Sequence, residues 1–176
     1  MRVIGGEFRS RRLQSLPGMD VRPTSDKMRE TLFNILGSQI EGVVFLDAFA
    51  GTGAVGIEAL SRGARHAVFI EKDRNAANLI KSNLAALGIG ARARVIQGSA
   101  ALYLEKIDAE MVFIDPPYPK EREYQAAFDA LEWKTAELVI VQHSVRFALA
   151  DEQGPWRRTR IVKQGENALS FFRRLL

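Results

Sequence analysis

The sequence predicts an α/β fold with a mostly parallel sheet that is covered by helices on both faces. From residue 43 onward, short apolar runs of the kind that form buried strands alternate with segments of helical periodicity. Glycines follow the first of these runs, and acidic residues stand at the ends of three of them. Because open α/β folds bind ligands beyond the carboxyl ends of their strands, the fold prediction also locates a candidate site.

The first 21 residues are predicted to form a basic β-hairpin flap, which must lean on a main domain made of residues 22–176. Residues 2–4 and 8–13 are short strand candidates on either side of Gly5-Gly6, a dipeptide suited to a tight turn. A flap of this size cannot build a core of its own, so we expect one compact domain overall.

A helix is predicted after this flap, where Thr24 or Ser25 can act as its N-cap and Gly37 can end it. The predicted strands that follow are residues 43–46, 66–70, 93–96, 111–114 and 138–141. The helices between them are residues 53–62, 74–87, 100–107 and 121–131. The C-terminal residues 158–162 and 169–173 are predicted to form a hairpin.

Composition excludes several classes of protein. The chain has no cysteine, which excludes disulfides and thiolate metal sites. No apolar run approaches the ~20 residues of a membrane span, and the N-terminus lacks the apolar stretch of a signal peptide. We therefore expect a soluble, cytoplasmic protein without a metal. His66, His143, Trp133 and Trp156 are interpreted as structural or exposed residues rather than catalytic ones.

The formal net charge is +4, and the positive charge is concentrated at the two ends of the chain. The N-terminal cations are Arg2, Arg9, Arg11, Arg12, Arg22, Lys27 and Arg29; the C-terminal cations are Arg157, Arg158, Arg160, Lys163, Arg173 and Arg174. This distribution is consistent with a polyanionic partner, although ordinary solvated surface charge would also produce it.

The tetrapeptide Asp115-Pro116-Pro117-Tyr118 follows a buried strand and is the most informative motif of the chain. The prolines remove two backbone donors and leave the Pro116 carbonyl without a ladder to join. A carboxylate, a carbonyl and the flat face of Tyr118 together suit a planar ring that carries an exocyclic amine. The amine can donate one hydrogen to Asp115 and one to Pro116 while the ring stacks on Tyr118. The alternative is a proline-rich turn.

The loop after the first strand carries Gly51, Gly53 and Gly56, which match the G-x-G-x-x-G dinucleotide fingerprint. Asp47 stands before these glycines, where it would repel a pyrophosphate but suit a ligand with a cationic amine. Glu71 ends the next strand and can accept hydrogen bonds from ribose hydroxyls. S-adenosylmethionine satisfies both carboxylates, whereas an NAD-dependent oxidoreductase would leave the Asp115 motif unexplained.

Residues 47–53, Glu71 and residues 115–118, in this order on alternating strands, resemble the class I methyltransferases that modify amino groups. The Arg22-Pro23-Thr24 segment, followed by Arg29-Glu30 and Phe33-Asn34, resembles the RsmD-like family. The resemblance extends over nearly all of the chain. The resemblance implies a Rossmann-like sheet of seven strands in which the last strand is antiparallel. It also implies an enzyme that methylates the N2 amine of a guanine in small-subunit ribosomal RNA. By the same resemblance, the enzyme would be a monomer and would act on partly assembled subunits.

The resemblance also implies roles for individual residues. Catalytic roles would fall to Asp115, Pro116, Pro117 and Tyr118. The cofactor would be held by Asp47, Ala48, Phe49, Gly51, Gly53, Glu71, Lys72, Gly98, Ser99 and Thr24. The RNA would be held by Arg9, Arg11, Arg12, Arg22, Lys27 and Arg29. Many methyltransferases have aspartate where this chain has Ser99, so Ser99 is interpreted first as a helix cap and second as an adenine contact.

Four alternatives remain open from the sequence. A DNA or other-RNA amino methyltransferase, including one specific for adenine N6, would share the two motifs, although DNA enzymes usually add a target-recognition insertion. A protein-glutamine methyltransferase would carry asparagine at the position of Asp115. An NAD-dependent oxidoreductase and an RNA-binding module without catalysis are the other two.

Overall fold

The computed structural model describes residues 1–18, 24–117, 121–132 and 134–175. Its centre is an eight-stranded sheet with the strand order β3-β2-β1-β4-β5-β8-β7-β6. The strands are β1 (Val44–Asp47), β2 (His66–Glu71), β3 (Ala93–Gln97), β4 (Met111–Ile114), β5 (Leu138–Ser144), β6 (Glu152–Gln153), β7 (Trp156–Gln164) and β8 (Asn167–Arg174). The helices are α1 (Asp26–Leu36), α2 (Ala54–Ser61), α3 (Arg74–Ala86), α4 (Ala100–Tyr103) and α5 (Glu121–Leu131).

The predicted parallel sheet is confirmed. Strands β3, β2, β1, β4 and β5 are neighbours in that order and all run parallel. Strand β8 pairs antiparallel with β5, as the resemblance implied. The sheet has one strand more than the seven expected, because the two-residue β6 pairs with β7. A segment that short has too few positions to show an alternating pattern.

Helices cover both faces of the sheet, as predicted. One face carries the apolar side of α5 and part of α4, packed on residues such as Val139 and Phe172. On the opposite face, α1 packs on Ile140 and Phe171. Since neighbouring residues of a strand point to opposite faces, continuously apolar strands supply both cores. The predicted helix 100–107 is an α-helical turn followed by a 3₁₀ turn at Leu104–Lys106.

Residues 1–14, here called the N-terminal arm, fold back on themselves along α2 and α3. A single antiparallel bridge joins Arg2 and Arg12 in place of the two strands predicted from the sequence. Val3 and Leu13 are buried in the core beneath the arm. The proposed boundary near residue 21 lies outside the described residues.

The glycine pair at the start of the arm serves close approach to α2. Gly6 has φ +80°, and a Cβ added there would lie 2.0 Å from the carbonyl oxygen of Ser61. The Ser61 hydroxyl donates to the carbonyl of Gly5 at 2.6 Å and accepts from the N–H of Phe8 at 2.9 Å. The arm is therefore fixed to the end of α2 by its backbone.

Glu58 connects the arm, α1 and α2, a role that the sequence did not reveal. Its carboxylate is fully buried and accepts from the N–H groups of Ile4 and Gly5, each at 2.9 Å. Arg62 Nε donates to it at 2.9 Å, and Arg29 Nη1 lies 3.7 Å away. A buried carboxylate needs such partners to offset the loss of hydration.

Candidate active site

The carboxyl edge of the sheet, where the parallel strands end, brings three acidic residues together. Asp47 is level with Phe69 of β2 and with Phe113 of β4 in the parallel register. Glu71 and Asp115 each follow those neighbours by two residues. The three carboxylates therefore end three adjacent strands, in the order β2-β1-β4.

Each of the three glycines at the junction of β1 and α2 has a different structural role. Gly53 has φ +81°, and a Cβ there would lie 2.9 Å from the Ile80 side chain. A Cβ at Gly56 would lie 2.3 Å from the ring of Phe69, so this glycine serves the packing of α2 on β2. Gly51 has φ +55° and no atom within 4 Å of an added Cβ. Its backbone therefore faces open space, where a ligand can approach closely.

Asp47 is buried below this loop. One of its oxygens accepts from the N–H of Gly56 at 3.2 Å. Burial raises the pKa of the Asp47 carboxyl to about 8, and the nearby charges of Asp115 and Glu71 act in the same direction, against the Gly56 hydrogen bond. A cationic group placed at this edge would reverse that balance and favour the carboxylate.

Glu71 holds the loop from the other side. Its carboxylate accepts from the N–H of Gly51 at 2.6 Å and from the N–H of Asp73 at 2.9 Å. Asp73 in turn caps α3 by accepting from Ala76 at 2.8 Å. Glu71 is half-buried, and Lys72 beside it is exposed.

Ala48 and Phe49, the other predicted cofactor contacts in the loop, lie differently. Ala48 is buried, and its N–H donates to the carbonyl of Phe113 at 3.0 Å. Phe49 is half-buried and packs on the core formed with α5. Ala48 thus fixes β1 to β4, while Phe49 has a partly accessible side chain.

The loop after β3 packs against Tyr103 of α4, a residue that the sequence did not single out. A Cβ at Gly98 would lie 2.3 Å from the ring of Tyr103, so Gly98 makes room for this half-buried aromatic side chain. The Gly98 N–H donates to the Glu71 carbonyl at 2.9 Å. Ser99 occupies the N-cap position of α4, as predicted, but its side chain makes no capping hydrogen bond.

The Asp115 motif lies beyond β4. Asp115 is half-buried, Pro116 is buried and Pro117 is exposed. Tyr118, which is predicted to stack on the substrate, lies outside the described residues, as does Arg22. The strand before the motif is central in the sheet, with β1 on one side and β5 on the other.

Two residues that the sequence did not connect to this motif contact it or lie beside it. The Thr24 hydroxyl lies 3.5 Å from Asp115 Oδ2 and 3.2 Å from the Gln142 side-chain oxygen. Gln142 follows Val141, which is level with Ile114, so Gln142 is level with Asp115 on the next strand. Thr24, predicted as a cofactor contact, therefore lies at the side of the site where the substrate amine is expected.

The predicted RNA-binding cations that the structure describes differ in their exposure to solvent. Arg9, Arg11, Arg12 and Lys27 are exposed. Arg29 is only 1% exposed and donates to Asp26 at 2.6 Å and to the Arg2 carbonyl at 3.0 Å. The prediction that Arg29 binds RNA is therefore wrong, because the arm and α2 cover its guanidinium.

The tip of the arm is remote from Asp115. Arg11 donates to the carbonyl of Ala86, the last residue of α3, at 3.3 Å. Helices that connect parallel strands run back toward the amino edge of the sheet, so the ends of α2 and α3 lie at that edge. Arg9 and Arg11 thus lie at the amino edge, while Lys27 lies three residues after Thr24, at the start of α1.

His143 is buried in a polar network of the C-terminal hairpin. Its Nδ1–H donates to the Ser144 carbonyl at 2.9 Å, and its Nε2 accepts from the Ser170 hydroxyl at 2.7 Å. Arg158 donates to the same hydroxyl at 3.1 Å. Burial lowers the pKa of His143, so the neutral ring persists at neutral pH, in agreement with a structural role.

Two negative findings apply to the described part of the chain. No group of three or more acidic or histidine side chains is arranged to hold a metal ion. None of its helices combines the length and the apolar character that crossing a bilayer requires.

The fold and the carboxyl edge are those of a class I methyltransferase. The chain belongs to the family described as "Conserved hypothetical protein 95", which it matches over residues 1–173. A relative from Escherichia coli named "Ribosomal RNA small subunit methyltransferase D" is 37% identical over 180 residues, covering 99% of this chain and 90% of the relative.

Solved structures agree with this assignment. The Escherichia coli protein yhhF is 35% identical and has a TM-score of 0.87, covering 100% of this chain and 98% of its own. An RNA methyltransferase from Salinibacter ruber, solved in complex with S-adenosyl-L-homocysteine, has a TM-score of 0.68 at 18% identity, covering 85% of this chain and 92% of its own. That second likeness concerns the fold alone.

Proposed function

We propose that this protein transfers the methyl group of S-adenosylmethionine to the exocyclic N2 amine of a guanine in small-subunit ribosomal RNA. The observation that carries the proposal is the position of Asp115 and Pro116 at the end of β4, next to the glycine loop of β1. The name of the Escherichia coli relative supports ribosomal RNA as the substrate class.

The residues of the carboxyl edge fit the cofactor. S-adenosylmethionine would supply a methyl group on a positively charged sulfur, together with an amino acid and a ribose. Asp47 would balance the cationic amine directly or through water, and Glu71 would accept from the ribose hydroxyls. The open side of Gly51 leaves room for close approach, and Ser99 or Tyr103 would border the adenine.

The two acceptors beyond β4 address the weakness of the nucleophile. The lone pair of the guanine amine is delocalised into the ring, which makes the nitrogen a poor nucleophile. Hydrogen bonds from its two N–H groups to Asp115 and to the Pro116 carbonyl would orient the nitrogen. As the N–C bond forms and the S–C bond breaks, positive charge develops on nitrogen, and the Asp115 carboxylate would stabilise it before the proton leaves to solvent.

Alignment and fixed electrostatics would supply most of the rate. Holding two reactants in position is worth up to ~7–11 kcal/mol in favourable cases. Acceptors that are already fixed stabilise charge without reorganisation, and losing one such group typically costs about 10²–10³ in rate. The base must leave its helix or come from a loop, because its amine is otherwise inaccessible. Tyr118 is proposed to stack on it.

Adenine N6 in DNA or in another RNA is the second candidate, because an amine on either purine suits Asp115 and Pro116. The proposal further includes a monomeric enzyme that acts in the cytoplasm on partly assembled small subunits. The exposed cations Arg9, Arg12 and Lys27 would contact phosphates, which position RNA without specifying its sequence.

A labelled-methyl assay tests the proposal. Duplex DNA, free small-subunit ribosomal RNA and unmethylated small subunits are each offered with labelled S-adenosylmethionine, and the products are digested to nucleosides. We expect the label in N2-methylguanosine from ribosomal RNA or subunits. Label in N6-methyladenosine or in DNA would favour the second candidate, and no transfer to any nucleic acid would contradict both.

A further inference from the structure

The cations of the C-terminal hairpin fall into two groups. Four of them have partners in the described structure: Arg157 pairs with Glu152, Arg158 with Asp151, Arg173 with Gln39, and Arg174 with the carbonyls of Glu132 and Lys134. Arg160 and Lys163 are exposed, and no carboxylate of the described residues pairs with either. Their charge is therefore available to a partner.

The hairpin places Lys163 at the same edge of the sheet as Asp115. Ser144, at the end of β5, is paired with Asn167 of β8, and Asn167 is paired with Gln164 of β7. The turn between β7 and β8 therefore lies at the carboxyl edge. Three strand spacings separate β4 from β7, a distance of about 14 Å at ~4.8 Å per spacing.

Further contacts bring two more cations next to this turn. The Thr31 hydroxyl of α1 donates to the side chain of Gln164 at 3.3 Å. Lys27 lies one helical turn before Thr31 on the same side of α1, and it is exposed. Arg146 follows β5 and lies 3.9 Å from Glu166 in the turn, with both side chains about 85% exposed. An ion pair that exposed contributes little.

We infer that Lys27, Arg146, Arg160 and Lys163, here called the hairpin patch, bind the RNA backbone beside the nucleotide that is methylated. This inference rests on the proposed function. An enzyme that draws a base out of its helix must hold the flanking backbone while it does so. The arm tip, at the amino edge, is too remote to hold those phosphates. Arg160 is paired with Phe171 on the α1 face and Lys163 lies on the opposite face, so the hairpin patch follows the open edge of β7 from both faces of the sheet.

Charged residues on an edge strand can instead serve to prevent pairing with other chains. Beyond Arg157, no further strand of the described residues pairs with the outer edge of β7. The two roles predict different effects when the charges of Arg160 and Lys163 are neutralised. Loss of edge protection causes aggregation and leaves RNA affinity unchanged, whereas loss of phosphate contacts weakens RNA binding and its dependence on salt.

The experiment compares two double variants of the full chain. Arg160→Gln with Lys163→Gln alters the hairpin patch, and Lys81→Gln with Arg94→Gln is the control, since both control residues are exposed and lie on α3 and β3. Each pair lowers the formal net charge of +4 by two. Binding of in-vitro transcribed small-subunit ribosomal RNA is measured over a range of salt concentrations.

We expect the hairpin variant to weaken RNA binding roughly tenfold and to reduce the slope of log K against log salt by about 1.4–1.8, which corresponds to two phosphate contacts. Its affinity for S-adenosylmethionine should be unchanged. Arg160→Lys with Lys163→Arg should retain the slope. An unchanged slope in the hairpin variant, or an equal change in the control, would overturn the inference.

The outcome also separates this inference from the proposed function. Wild-type protein that methylates ribosomal RNA, together with an unaffected hairpin variant, contradicts the hairpin patch alone. Wild-type protein that transfers no methyl group to RNA contradicts the proposed function, and the salt dependence then still decides whether the hairpin patch binds RNA.

Discussion

The hydroxyl of Thr24 lies 3.5 Å from Oδ2 of Asp115, across 91 positions of the sequence. The same hydroxyl lies 3.2 Å from the side-chain oxygen position of Gln142. It carries one hydrogen and can donate to one acceptor at a time. With the Gln142 amide turned so that its N–H group donates to Thr24, that hydrogen is available to Asp115. Thr24 is therefore suited to fix the orientation of the carboxylate.

Replacing Thr24 with valine should lower kcat about tenfold, which corresponds to the loss of one hydrogen bond to a charged group. The affinity for S-adenosylmethionine should change little, and Thr24→Ser should restore kcat. Thr31→Val removes a hydroxyl from the partly buried contact with Gln164, away from Asp115, and serves as the control. A loss of affinity for S-adenosylmethionine without a fall in kcat would instead support the cofactor role predicted for Thr24.

Replacing Asp115 with asparagine should lower methyl transfer by about 10²–10³, because an amide cannot stabilise positive charge on the substrate nitrogen as a carboxylate does. Binding of S-adenosylmethionine, measured by calorimetry, should persist. Asp129→Asn on α5 removes an equal charge at an exposed site and should leave the rate unaltered. Turnover retained by the Asp115 variant would contradict the proposed chemistry.

The raised pKa of Asp47 predicts a stability that falls as pH rises. Between the unfolded value of 3.8 and the folded value of about 8, the native state binds a proton that the unfolded state has lost. The free energy of unfolding therefore decreases with pH across that window and levels off above it. Thermal melts should show this decline in the wild type and a flatter profile in Asp47→Asn. Parallel profiles for the two proteins would refute the assignment.

The same shift links Asp47 to the proposed cofactor. A cationic amine near the carboxylate lowers its pKa, so binding at neutral pH should release a fraction of one proton. Calorimetry of S-adenosylmethionine binding in buffers of different ionisation enthalpy measures this release. The Asp47→Asn variant should release less, and an equal release from both proteins would place the proton elsewhere.

Replacing Glu58 with glutamine should destabilise the fold by about 3–5 kcal/mol, since the 1% exposed guanidinium of Arg29 would lose a buried charge partner. The urea midpoint of unfolding measures the effect. Glu152→Gln breaks the exposed pair with Arg157 and should cost at most about 1 kcal/mol. Equal effects of the two changes would mean that Glu58 does not hold the arm and α1 together.

The parallel sheet was predictable because its strands are apolar on both faces, as in Met111–Ile114, and because glycines end several helices. Asp47, Glu71 and Asp115 were predictable as neighbours because parallel strands end at one edge. Each of these features is determined by a short stretch of sequence, so the local pattern of residues is enough to predict it.

Other features depended on contacts between distant segments. Arg29 carries a charge, so the sequence assigned it to solvent; in the structure it lies on the buried side of α1 with Leu32 and Phe33, and the arm covers it. Thr24 contacts Asp115, which is 91 positions away, and Gln142, which is 118 positions away, so no local pattern of the sequence indicates either contact. Serine is a typical N-cap residue, but the Ser99 side chain makes no capping hydrogen bond. Only the side-chain rotamer in the structure could show this.

The position of β8 affects how the protein matures during translation. This strand follows all the others along the chain, yet it lies inside the sheet, between β5 and β7, and contributes Phe171 and Phe172 to two cores. A nascent chain that has emerged only as far as β7 exposes one edge of β5 and both apolar faces beside it. Such a chain is a target for chaperones and proteases. We therefore expect a chain that stops before residue 167 to remain unfolded at this edge rather than to be a partly active methyltransferase.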